Sequence, residues 1–216
     1  MKKNKSIKRL ALIALLGTIS GVLMLMEFPL PFLAPSFYQL DLSEVPVMIG
    51  AFAYGPLAGL AIEVVKIFLK LIIKPTMTMG VGEIANFLIG ITLVIPASYI
   101  YNLKKTKKRA IVGLAIGTVA MAGIGAFINA FVMLPFFATL MSSPENIVTV
   151  SDFVAMGTAI NPLIKNVTSL MLFAVVPFNI LKGLIVSVIV LLIYKRLSPL
   201  LKAEDSEEEF SGCTDC

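Results

Sequence analysis

Residues 45–73 read VPVMIGAFAYGPLAGLAIEVVKIFLKLII. A membrane-spanning helix needs about 20 apolar residues, so the stretch is long enough to cross a bilayer once. Two features count against a single rod. Gly55-Pro56 interrupts it, and there proline removes a helix donor while glycine frees the backbone to turn. The second half also carries Glu63, Lys66 and Lys70, which are costly in lipid unless shielded. Whether the stretch is one span or a hairpin decides the topology of the whole chain.

The charges on either side supply the answer. The chain has 216 residues, of which 58% are hydrophobic and 14% charged. Soluble domains carry about 25% charge. With a mean hydropathy of +0.94, lipid must be the solvent for much of the chain. Thirteen of the 18 basic residues fall in three clusters: Lys2, Lys3, Lys5, Lys8 and Arg9; Lys104, Lys105, Lys107, Lys108 and Arg109; Lys195, Arg196 and Lys202. Each borders a long apolar run, as cytoplasmic loops do under the positive-inside rule. The net charge of +5 therefore marks membrane sidedness rather than a nucleic-acid partner.

Four other runs qualify or nearly qualify as spans: Leu10–Met26, Ile84–Leu103, Ala110–Met141 and Val167–Tyr194. The first two basic clusters should share a side, so an even number of spans must separate them. Leu10–Met26 and Ile84–Leu103 supply two. A hairpin in 45–73 adds two more and keeps the rule, whereas a single span breaks it. The sequence thus predicts an all-α bundle of six transmembrane helices, roughly 7–26, 43–54, 57–73, 82–103, 109–137 and 177–197, with both termini cytoplasmic. Outer loops fall at 27–42, 74–81 and 138–176. In the last, 161–176 reads as a short interfacial helix or as an extension of the sixth helix bent at Pro177. The first helix lacks a small-x-small cleavage site and reads as uncleaved. Residues 1–202 form one membrane-embedded domain, and 203–216 an acidic, disordered cytoplasmic tail. Cys213 and Cys216 lie in that tail and read as a reduced pair, since a zinc site needs about four ligands.

The chain has no histidine, no GxxxxGK[ST] and no HExxH, and it pairs no nucleophile with a base. It reads as neither an enzyme nor an ATP-driven motor, and nothing calls for a cofactor or metal. Function must then rest on polar groups inside the bundle. Glu83 and Asn86 sit at the outer end of the fourth helix. Asn129 lies about 9 Å inside the outer end of the fifth, at ~1.5 Å per residue from Pro135. Asn179 and Lys182 share a face of the sixth. Asp41 and Glu44 stand where the first loop enters the second helix. All converge on one end, which suits a ligand rich in hydroxyl and carbonyl groups. The first loop adds Phe28, Phe32, Phe37 and Tyr38, stiffened by Pro29, Pro31 and Pro35, as a lid for a flat ring or as an interfacial anchor. Lys66, Lys70 and Lys74 read as snorkelling cations, with Glu63 on the same face. Ala11, Ala14, Gly17, Thr18 and Gly21 form a small-residue stripe that could pack within the bundle or dock another subunit. Gly113-x-x-x-Gly117 is a second such face.

The runs LDLSEVP (40–46), FAYGPLAG (52–59), GVGEIANF (80–87) and PFNILKG (177–183) resemble the riboflavin-binding S components of energy-coupling factor (ECF) importers. The likeness covers about 8–197 in a consistent order. It implies the six-helix S-component fold, with riboflavin bound near the outer surface. It implies that Asn129, Asn179 and Lys182 hydrogen-bond the ligand and that Glu83 and Asn86 line the same pocket. Phe37, Tyr38, Leu40 and Asp41 would cover it. The small-residue stripe would dock on a transmembrane coupling subunit, EcfT, which bears two ATPase subunits, and transport would follow toppling of the S component. Whether flavin mononucleotide also binds is left open, as are the roles of Asn161, Lys165 and Asn166. An S component for another vitamin, or a stand-alone membrane protein, are the competing readings.

Overall fold

The helix in 45–73 breaks at Gly55, whose φ of +91° lies where L side chains are strained, and Pro56 opens the next helix at a position that needs no amide donor. The computed structural model describes residues 2–74, 78–143 and 147–193. Among them the helices are α1 (Lys2–Leu25), α2 (Glu44–Tyr54), α3 (Pro56–Ile73), α4 (Val81–Leu103), α5 (Lys107–Met141), α6 (Val150–Ile160) and α7 (Val167–Ile193). By length and composition α1, α4, α5 and α7 can each cross a membrane. Lys195, Arg196, Lys202, the acidic tail and its two cysteines lie outside the described residues.

Small residues set the packing. A Cβ on Gly17 would fall 2.5 Å from Val65, and one on Gly21 would fall 3.1 Å from Leu69, so α1 and α3 run parallel in close contact. Gly59 lies against Ala51 and Val94, Gly113 against the Ala97 carbonyl, Gly117 against the Leu93 carbonyl, and Gly183 against Thr118. In each of these pairs residue numbers rise on one helix as they fall on the other. Hence α2 to α5, and then α7, alternate in direction. The ends near Met24, Glu44, Lys70, Glu83 and Phe178 meet at one pole. Arg9, whose guanidinium donates to the Tyr54 carbonyl (2.8 Å), marks the opposite pole. Val47, Met48, Phe52, Leu93, Tyr101 and Leu114 fill the core between the poles.

Three expectations change here. The connection after α5 is not a loop: α5 runs on to Met141, and α6 follows, started by a capping box between Thr149 and Asp152. The last helix begins at Val167, ten residues before the expected start, so the extension reading holds for 167–176 and not for 161–166. A π turn at Met171–Val175 precedes Pro177, and a second at Asn129–Met133 precedes Pro135. Proline cannot donate to the carbonyl four residues back, and a wider turn accommodates the missing bond. The first loop is not wholly irregular either, because Phe28–Pro29 pairs antiparallel with Gln39–Leu40.

The small-residue stripe divides. Gly17 and Gly21 are buried against α3, so they are not available to dock another subunit, while Ala11, Ala14 and Thr18 face outward. A glycine pair lets two backbones approach whichever partner is chosen, and α3 is the partner here.

Candidate ligand-binding site

A cavity of about 830 Å³ opens at the pole where the loops gather. Seven of the expected residues line it: Phe37, Tyr38, Glu83, Asn86, Asn129, Asn179 and Lys182. Leu40 and Asp41 do not. For Leu40 the short ladder explains this, since neighbouring strand residues point to opposite faces, and Asp41, beyond the ladder, is drawn in by Lys182 and Ser43. Gln39 turns to the cavity, Leu40 enters the core at 3% exposure, and Asp41 is sealed behind the wall.

The amides come from the wide turns and their surroundings. Asn129, in the π turn of α5, donates Nδ2 to the Gly125 carbonyl (2.7 Å). Asn179 donates Nδ2 to the Val175 carbonyl (2.9 Å). A Cβ on Gly125 would lie 3.1 Å from Asn179 Nδ2, so this glycine is what lets the two amides sit side by side. Each side chain is thereby fixed through one N–H, and both residues line the cavity. From α4, Glu83 accepts from Thr78 (3.1 Å), and Asn86 Oδ1 has no partner among the described residues.

Aromatic rings form the other wall. Phe37 packs on Tyr38 (4.5 Å between centroids) and edge-on to Phe153 of α6 (5.5 Å), while Tyr38 lies 5.9 Å from Phe178. Phe137, Phe153 and Phe178 were not anticipated. Phe178 lies in a quoted motif, and Phe153 follows the Thr149-x-x-Asp152 capping signature that announces α6. Phe28 and Phe32 turn outward, at 47% and 74% exposure, so of the four aromatic residues of the first loop Phe37 and Tyr38 line the cavity. The Tyr38 hydroxyl is buried without a partner. Burial pushes this phenol well above its ordinary pKa, so it is a neutral donor and acceptor.

Charged pairs surround the cavity. Lys182 Nζ donates to Asp41 Oδ2 (2.8 Å). The other oxygen, Asp41 Oδ1, accepts the Ser43 amide (2.9 Å) and the Ser43 hydroxyl. Burial alone would raise the Asp41 carboxyl, but the Lys182 ammonium, and after it Lys66, hold it well below the usual range. Lys66 does not snorkel. It is fully buried between Glu44 (2.8 Å) and Glu63 (2.6 Å). Lys70 and Lys74 both pair with Glu27 (2.9 Å each) at the cavity rim. Glu27, Glu44, Lys70 and Lys74 thus join the lining. Asn161, Lys165 and Asn166 stay away from it; Asn161 Oδ1 accepts the Leu163 amide, and Asn166 caps α7.

The volume falls within the range of about 300–1,000 Å³ typical of small-molecule sites. A lining that mixes aromatic and methionine faces with amides suits a flat, mostly apolar molecule with polar edges. There is no cluster of three metal-ligating side chains among the described residues.

Residues 8–194 match the substrate-specific component of ECF transporters. The chain is 33% identical over 201 residues to a riboflavin transporter, FmnP, of Bacillus subtilis (strain 168), covering 93% of this chain and 97% of that protein. It is 34% identical to the riboflavin transporter RibU of Staphylococcus aureus (strain TCH60), covering 94% and 95%. A solved S component of a bacterial ECF transporter superposes with a TM-score of 0.69 at 34% identity, covering 91% of this chain and 99% of the other. The chain belongs to the substrate-specific components of ECF transporters and is a multi-pass membrane protein.

Proposed function

We propose that this chain is the riboflavin-binding S component of an ECF importer in a bacterial cell membrane. It captures riboflavin at the outer face and delivers it inward with a coupling subunit, EcfT, and two ATPase subunits. The observation that carries this reading is the cavity itself. Asn86, Asn129 and Asn179 bring amides and Lys182 a donor to a cavity that the rings of Phe37 and Tyr38 also line. Isoalloxazine is flat and largely apolar, while its pyrimidine-like edge and ribityl chain need several donors and acceptors. The orphaned Tyr38 hydroxyl and Asn86 oxygen support the reading, because a buried group without a partner costs about 1–3 kcal/mol and a polyhydroxylated ligand can satisfy both.

In this reading six helices, α1 to α5 and α7, span the membrane. The Arg9 pole and both termini are cytoplasmic, and the cavity faces out. Ala11, Ala14 and Thr18, which face outward from α1, form the remaining docking edge for the coupling subunit. No step in capture requires bond making, and energy comes from ATP hydrolysed by the partners.

The test is the absorption spectrum of the purified protein with and without added riboflavin. Flavin bands in near-equimolar amount are expected. A colourless protein that quenches no flavin fluorescence on titration overturns the reading. Binding of another vitamin in its place favours the same fold with different cargo.

A further inference from the structure

We propose that Asp41 is a specificity-determining residue of the cavity: by holding the Lys182 ammonium in a buried pair, it makes the site select an electroneutral ligand over the same ligand carrying an anion. The proposal rests on the riboflavin reading above and adds what the wall does to charge.

The argument starts from a charge census. Among the described residues, Lys70, Lys74 and Lys182 line the cavity, and Lys66 lies just behind it. Lys182 has Asp41 and Lys66 has both Glu44 and Glu63, while Lys70 and Lys74 share the one carboxylate of Glu27 at the rim. With Glu83 added, five carboxyl groups face four ammonium groups. The two buried ammonium groups, Lys66 and Lys182, each have a carboxylate within 2.8 Å, so neither needs an anion from outside. A second negative charge would enter a space where the nearest cations are satisfied and water is scarce. Coulomb energies there are several times larger than in bulk water.

Asp41 is the group that makes Lys182 neutral to the ligand. It offers the ligand no surface, because its side chain is 1% exposed. It is fixed from behind by Ser43, whose carbonyl in turn accepts the Ser20 hydroxyl of α1 (2.5 Å). Lys182, 9% exposed, therefore reaches the cavity with its charge cancelled and its remaining N–H donors free to hold neutral acceptors. Asp41 acts through Lys182 and touches no cargo.

Riboflavin and its 5′-phosphate are the probes, since they share ring and chain, and the phosphate adds about two negative charges at neutral pH. Dissociation constants for both are measured at fixed ionic strength by fluorescence quenching, and the ratio of affinities is read. The wild-type protein is expected to favour riboflavin. Asp41→Asn leaves Lys182 uncompensated, and the preference should shrink about tenfold or more. Lys182→Met leaves Asp41 uncompensated, and the preference should grow even as both affinities fall. The double variant removes both charges, and its ratio should return to near wild type. A merely structural role for the pair lowers both affinities together and leaves the ratio unchanged. If Asp41→Asn does not fold, Lys182→Met and the double variant still carry the test. Riboflavin binding with an unmoved ratio in these variants overturns the proposal alone. A wild-type protein that binds neither flavin overturns the functional reading and this proposal with it.

Discussion

Lys66 donates to Glu44 across 2.8 Å, from the second half of one arm of a helical hairpin to the start of the other, with neither side chain open to solvent. Glu63 holds the same ammonium at 2.6 Å. Removing one partner from a buried pair costs about 3–5 kcal/mol, because a charge is left without compensation. Lys66→Met should therefore lower unfolding stability by about that amount. Glu63→Gln, which leaves the Glu44 pair in place, should cost clearly less. Denaturant titration in detergent measures both, and equal losses would contradict this division.

The amides of Asn129 and Asn179 should each matter to cargo rather than to folding. Truncating either to alanine removes a fixed amide and is expected to weaken riboflavin binding about tenfold or more, equivalent to about 1.4 kcal/mol per decade. Fluorescence quenching reads the loss. Unchanged affinity in both variants would remove these residues from the site.

Gly125 separates stability from affinity. Alanine is the better helix former by about 1 kcal/mol. Yet a Cβ there meets the Asn179 amide at 3.1 Å and must push it aside. Gly125→Ala should leave the melting temperature level or higher while riboflavin affinity falls several-fold. A melting temperature that drops in step with affinity would refute this account.

Gly55 turns the hairpin with φ +91° and ψ 173°, a region reserved for glycine. Strain of this kind costs about 1–3 kcal/mol. Gly55→Ala should lose about that much stability even though the site has open space around it. A variant as stable as wild type would show that the hairpin tolerates another geometry.

Asp41 gives a pH signature. Its folded carboxyl is held well below its ordinary value, chiefly by Lys182 overcoming burial. A depressed carboxylate contributes stability above its unfolded pKa of about 3.9 and loses it as pH falls through the folded value. The stability difference between wild type and Asp41→Asn should thus be constant from about pH 8 to pH 5 and shrink only below about pH 4. Thermal melts across that range check it, and a difference that changes near neutrality would assign the effect elsewhere.

Much of this arrangement is legible in the sequence because its signals are local or additive. Basic clusters count spans, and Gly55-Pro56 announces its own break. Glu83, Asn86, Asn129, Asn179 and Lys182 are conspicuous because lipid tolerates so few such groups. What escaped needed partners far along the chain. Lys66 and Glu63 share a face, but nothing in their spacing brings Glu44 to the same ammonium. Asp41 and Lys182 are 141 positions apart, so nothing local announces that they pair. Gly17 and Gly21 announce close contact without naming the helix they contact. The helix Val150–Ile160 leaves a trace in Thr149 and Asp152, the two residues of its capping box.

The π turns before Pro135 and Pro177 carry a further consequence. Each inserts one residue beyond the α-helical register, which rotates everything on its far side by about 100° relative to an unbroken helix. The two rods that supply Asn129, Asn179 and Lys182 therefore have phase shifts at nearly the same height. Deleting one residue from either turn would re-index half a helix without changing its composition. Such a chain would keep its hydropathy profile and its spans, yet turn a different row of side chains toward the cavity.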